Sequence, residues 1–93
     1  MRTSADLDSR RKRILYRAWH RGTREMDLVL GRFADAQLHE LNDTELDELE
    51  HLMTAPDPEI YKWLSGQHNV PANWNSSIVQ RIREFHQTQQ TAQ

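Results

Sequence analysis

The 93-residue sequence contains no cysteine. That absence excludes a disulfide framework, a thiolate metal site, an iron–sulfur cluster and a cysteine nucleophile together, so the fold must hold by packing alone. Glycine and proline number three each, too few for the dense turns of a β protein, and no glycine-rich loop follows a strand to cradle a phosphate. No apolar run approaches the roughly 20 residues needed to cross a bilayer. The five histidines, His20, His39, His51, His68 and His86, form no i,i+4 pair and no His-Glu-x-x-His pattern, so they do not read as a metal site. Ser76 and Ser77 carry no sign of an activated nucleophile. The carboxylates from Asp43 to Glu50 read as one solvated helix face, whereas glycosidase chemistry needs two facing each other across a cleft. No catalytic residue is assigned, and the composition points to a binding protein.

What is present is charge, arranged in blocks. The net charge of −2 conceals a first third, residues 1–32, at +5, a middle, residues 33–61, at −9 without a single Lys or Arg, and a final stretch, residues 62–93, at +2. A basic block this dense can serve nucleic acid, an acidic protein surface or the chain's own acidic segment. A length of 93 residues suits one small domain, with a stability of about 5–10 kcal/mol and little room for a deep catalytic cavity.

Apolar residues recur at helical spacing throughout, which predicts an all-α, single-domain bundle of five helices. The first runs from Ser9 to His20, with Ile14, Leu15, Ala18 and Trp19 inward, and Gly22 as its stop. Arg10, Arg13, Arg17 and Arg21 fall within a sector of about 80° at 100° per residue, a basic stripe beside the apolar face. Thr23 caps the second helix, with Glu25 and Asp27 in the turn where the dipole favours negative charge. Its buried side comprises Met26, Val29, Leu30 and Phe33, continuing to Leu38 and Leu41, and Gly31 is expected to loosen or bend it. Asn42 and Glu45 form a capping box before Leu46, Leu49, Leu52 and Met53. Asp57-Pro58 starts a fourth helix, carrying Ile60, Tyr61, Trp63 and Leu64 and ending at Gly66. The fifth spans Trp74 to His86, with Ile78, Val79, Ile82 and Phe85 inward. Residues 1–8 and 87–93 are expected to be flexible ends of a domain covering residues 9–86.

The most singular feature is the junction Arg21-Gly22-Thr23-Arg24-Glu25. Glycine stop, threonine cap and dipole-complementing glutamate account for it structurally. A tight glycine corner also bares backbone and admits another surface, with Arg21, Arg24 and Glu25 projecting around it, and fixed charges of this kind contribute specificity and orientation.

The run Arg21-Gly22-Thr23-Arg24-Glu25-Met26-Asp27 resembles the Arg-Gly-x-x-Glu signature of the succinate dehydrogenase FAD assembly factors, the SdhE family of bacteria and its mitochondrial relatives. The resemblance continues through Phe33, Leu41-Asn42-Asp43-Thr44-Glu45, Asp57-Pro58-Glu59, Trp63-Leu64 and Pro71, covering residues 9 to 86. It implies a small five-helix protein that binds the flavoprotein subunit of succinate dehydrogenase, and in bacteria also that of fumarate reductase, and promotes covalent attachment of FAD to it. FAD is then the partner's cofactor, not one held stably by this chain. Arg21, Gly22 and Glu25 carry over as the positions that contact the partner, with Arg24 and Asp27 as matching neighbours, while Trp63 and Leu64 read first as core. Arg13 and Arg17 join the expected interface as steering charges. The expectation is a bacterial, cytoplasmic protein, monomeric when free and without a membrane or nucleic-acid partner. The N-terminal segment lacks the apolar core of a secretory signal, and its few residues before the first helix are short for a transit peptide. The alternative, a helical nucleic-acid-binding domain using the basic first helix, is opposed by the adjacent −9 segment.

Overall fold

The computed structural model describes residues 7–66 and 69–91; expectations for residues 1–6, 67–68 and 92–93 lie outside them. Among the described residues there are five α-helices and no strand, which is the all-helical class that the periodicity predicts. No helix among them is long and apolar enough to cross a membrane. The helices group into two units, Met1–Leu41 and Asn42–Gln93.

In the first unit, α1 spans Ser9–Trp19 and α2 spans Arg24–Gln37, followed by a 3-10 turn over Leu38–Glu40. Ile14 and Ala18 of α1 and Met26, Leu30, Phe33 and Ala34 of α2 are buried, as are Leu38 and Leu41. Each large aliphatic or aromatic side chain so buried contributes roughly 1.5–3 kcal/mol. Asp8 caps α1, its Oδ1 accepting from the Arg11 backbone N–H at 2.8 Å. Arg11 then acts as a clamp: it donates to Asp8 Oδ2 at 2.6 Å, through Nε to the Leu38 carbonyl at 3.1 Å, and through a second guanidinium nitrogen to the Leu41 carbonyl. One cation of the basic block is therefore spent inside the unit, tying the start of α1 to the carbonyls that end the α2 segment.

The Arg11 backbone N–H, and then its guanidinium, hold the Asp8 carboxyl below its ordinary value. A depressed carboxylate favours the folded state above its unfolded pKa, and this contribution is lost as pH falls through the folded value. The start of α1 should therefore fray on acidification into the range below about pH 4, seen as faster amide exchange at Arg11 and Lys12. Unchanged protection there across that range would contradict this cap.

Helix α2 runs unbroken through Gly31, from Arg24 to Gln37. Gly31 is buried beneath the Trp19 indole: a Cβ added to it would meet Trp19 Cδ2, Cε2 and Cε3 at 2.3, 2.5 and 2.6 Å. The missing side chain lets the indole lie directly on the backbone of α2, and Trp19 Nε1–H donates to Asp35 Oδ1 at 3.2 Å.

In the second unit, α3 spans Asp43–Leu52, α4 Asp57–Leu64 and α5 Ser77–Thr91. The Asn42–Glu45 capping box forms in both directions at 2.9 Å. Leu46, Leu49, Leu52 and Met53 are buried, as are Ile60, Trp63, Leu64, Ile78, Val79 and Ile82, whereas Tyr61 is exposed and Phe85 only half-buried. The start of α4 differs from expectation by one residue. Pro56, not Asp57, is the N-cap, its carbonyl accepting from the Glu59 and Ile60 N–H groups at 3.0 and 3.1 Å. Asp57 then lies in the first turn, where it still complements the dipole.

Helix α5 starts at Ser77, not Trp74, because the Trp74 and Asn75 N–H groups turn back to the Pro71 carbonyl, both at 2.9 Å. It continues past His86 to Thr91, with no glycine or proline to stop it. Its first turn is capped from α3, Glu48 Oε1 accepting from Ser77 Oγ at 2.7 Å and from the Ile78 N–H at 3.2 Å. Arg81 pairs with Glu45 at 2.9 Å, and Arg83 Nε donates to the Trp63 carbonyl at 2.7 Å. His51, Trp74 and Trp63 stack in sequence, with ring centroids 4.5 and 5.7 Å apart, which holds the segment before α5 in place.

Candidate partner-docking corner

The expected site residues lie in the first unit, on α1 and at its junction with α2. Helix α1 ends at Trp19, with His20 as its C-cap, so Arg21 leaves the predicted arginine stripe and becomes part of the turn. Of that stripe, Arg13 and Arg17 are exposed on α1, while Arg10 and Arg21 are half-buried.

The chain reverses through Gly22, at φ +106°, a left-handed conformation that other residues adopt only under strain. Thr23 follows in extended conformation, and its hydroxyl accepts from the Met26 N–H at 3.3 Å. Arg24 and Glu25 are thus the first two residues of α2, both exposed. Asp27, one turn in, reaches back so that its Oδ1 accepts from the Arg21 backbone N–H at 2.7 Å, while its own N–H donates to the Thr23 carbonyl at 3.0 Å. A charge-assisted bond of this kind is stronger than a neutral one. The corner is therefore latched from inside by Asp27 and open outside: beyond its two chain neighbours, no described residue lies within 4 Å of where a Gly22 Cβ would stand.

The sequence reading groups Asp27 with the outward residues Arg24 and Glu25, but its carboxylate is turned to the backbone of the turn itself. Two further residues near the corner escape that reading. Tyr16 is 64% exposed, and its ring stacks on His20 with centroids 4.0 Å apart and planes at 17°. His20 Nδ1 lies 2.6 Å from the Tyr16 carbonyl, which can only accept, so this nitrogen carries the proton. The i,i+4 spacing of Tyr16 and His20 is the signal that could have found them. Among the described residues, no group of three or more His, Asp or Glu side chains is placed to hold a metal ion.

Comparison with known proteins bears on this geometry. Residues 12–86 match the family model described as the flavinator of succinate dehydrogenase. The chain is 36% identical over 88 residues to a mitochondrial succinate dehydrogenase assembly factor 2 of Kluyveromyces lactis, covering 90% of this chain and 54% of that protein. It is 35% identical over 79 residues to the FAD assembly factor SdhE of Acetobacter pasteurianus, covering 85% and 72% respectively. A mitochondrial succinate dehydrogenase assembly factor 2 of Dictyostelium discoideum is 30% identical over 79 residues, covering 85% and 56%. The chain thus spans little more than half the length of these two mitochondrial relatives. No solved structure matches it. With the family model matched across all five helices, and the Arg-Gly-x-x-Glu run standing at the latched turn between the first two, the chain belongs to the family of succinate dehydrogenase flavinators.

Proposed function

We propose that this chain binds the flavoprotein subunit of succinate dehydrogenase and promotes covalent attachment of FAD to it, without contributing a catalytic group. The corner carries this reading: a turn held rigid by Asp27, bare at Gly22 and flanked by Arg21, Arg24 and Glu25 is suited to seating against another protein. The family match over residues 12–86 supports taking residues 9–86 as the working domain. On this reading FAD belongs to the client, the bond-forming chemistry to the flavin and its acceptor, and the factor is a monomer when free. The likeness to the Acetobacter factor supports a setting in the bacterial cytoplasm, and the flavoprotein of fumarate reductase is a second client.

The physical task is a population shift. A client whose attachment-competent arrangement is scarcely populated responds only to a ligand that binds that arrangement more tightly, each 1.4 kcal/mol of preference giving about tenfold in population. Arg21, Gly22, Arg24 and Glu25 supply shape and charge at the contact, Asp27 fixes the turn, and Arg13 and Arg17 accelerate encounter. Nothing in the family favours the nucleic-acid alternative.

The test is to express the flavoprotein subunit with and without this chain and measure the flavin that survives denaturation. A several-fold increase with the chain present is expected; equal attachment in both cultures would overturn the proposal.

A further inference from the structure

The face of α1 turned away from the core carries Lys12, Arg13, Tyr16 and Arg17, all exposed, and leads into the exposed C-cap His20. At 100° per residue the four helical positions span about 140°, with Tyr16 between Lys12 and Arg13. No acidic residue stands in α1 itself. Of the described carboxylates elsewhere in this unit, Asp8 pairs with Arg11, Asp27 with the Arg21 N–H, Asp35 with the Trp19 indole and Glu40 with His39, while Glu25 stands exposed in the first turn of α2. The result is a cationic face, with no acid on its own helix, around a well-exposed, stacked aromatic pair.

We propose that this face is a docking surface for an acidic segment of the flavoprotein subunit, with Tyr16 as its anchor. The proposal rests on the function proposed above and extends it along α1, because His20 stands next to Arg21 and Gly22, so one partner can cover both. Its chemistry follows from the residues present. Tyrosine and arginine are the side chains most enriched where binding energy concentrates, and Tyr16, braced by His20, loses little freedom when covered. The three flanking cations call for carboxylates on the opposing surface. They fall short of the six to ten phosphate contacts of a typical nucleic-acid site. The face also lacks the exposed Leu, Phe or Trp that an interfacial membrane helix would bury.

Three measurements on the full chain test this. In binding kinetics with the purified subunit, Tyr16→Ala should weaken affinity about tenfold, mostly through faster dissociation, and Tyr16→Phe, which keeps the ring, should recover most of the loss. The triple variant Lys12→Gln, Arg13→Gln, Arg17→Gln should associate several-fold more slowly at low salt and show a flatter salt dependence. A photo-crosslinking phenylalanine derivative at position 16 should capture an Asp/Glu-rich peptide of the subunit. If Tyr16→Ala binds as wild type does while the wild-type chain still raises flavin attachment, the α1 surface is refuted and the assembly function stands. Crosslinks to a second copy of this chain or to a basic peptide would overturn the proposal, as would Tyr16-dependent binding of random duplex DNA or phosphatidylglycerol vesicles at physiological salt.

Discussion

Gly22→Arg is expected to keep its helices and lose its client. The residue sits at φ +106°, and beyond its two chain neighbours no described residue lies within 4 Å of a Cβ there. A Cβ there meets open space, so the main cost is the backbone strain of a left-handed position, about 1–3 kcal/mol. That is tolerable for a domain of this size, so helical circular dichroism should be nearly unchanged. The arginine would, however, stand in the space through which another surface approaches the turn, adding a third cation between Arg21 and Arg24. Affinity for the flavoprotein subunit should fall by at least about a hundredfold, the equivalent of roughly 3 kcal/mol. Gly22→Ala carries the strain without the bulk and should fall between wild type and Gly22→Arg. If Gly22→Arg captures the subunit undiminished, the corner is not the seat of docking.

The second large effect concerns Gly31 and reads out as stability. A Cβ at this position would lie 2.3–2.6 Å from three indole carbons of Trp19, and a rigid ring can yield only by swinging away as a whole, giving up its bond to Asp35. Gly31→Leu should therefore lower the unfolding free energy by about 3 kcal/mol, the upper end of the usual overpacking cost. Gly31→Ala is the sharper test, because its better helix propensity alone would stabilise by about 1 kcal/mol. The steric conflict should reverse that sign. Adding Trp19→Ala to Gly31→Leu should recover part of the loss, since the leucine then occupies space the indole vacates, and the pair should be strongly non-additive. Urea denaturation measures all three variants, and a more stable Gly31→Ala would contradict the contact.

These two glycines also mark what can be read from sequence. Gly22, Thr23, Asn42, Glu45 and Gly66 announce helix ends through chemistry confined to a few residues, and the structure uses each as expected. Gly31 cannot be read that way: its partner, Trp19, is twelve residues earlier, and only the packing of α1 on α2 explains why a helix tolerates glycine there. The start of α5 is illegible for the same reason, its first amides being capped by Glu48 from another helix. Arg11 looks like one more surface cation in the basic run, yet it serves the carbonyls of Leu38 and Leu41. At the corner, the identity of Arg21, Gly22, Arg24 and Glu25 is visible in the sequence and the i,i+4 spacing of Tyr16 and His20 signals their stack, but the inward turn of Asp27 is not visible.

The bond from the Arg21 amide to Asp27 closes within six residues of chain. The turn consequently holds its shape without help from whatever it meets, and little conformational entropy is left to surrender on contact. On the proposed function, the factor would seat this turn against its client without first having to order it.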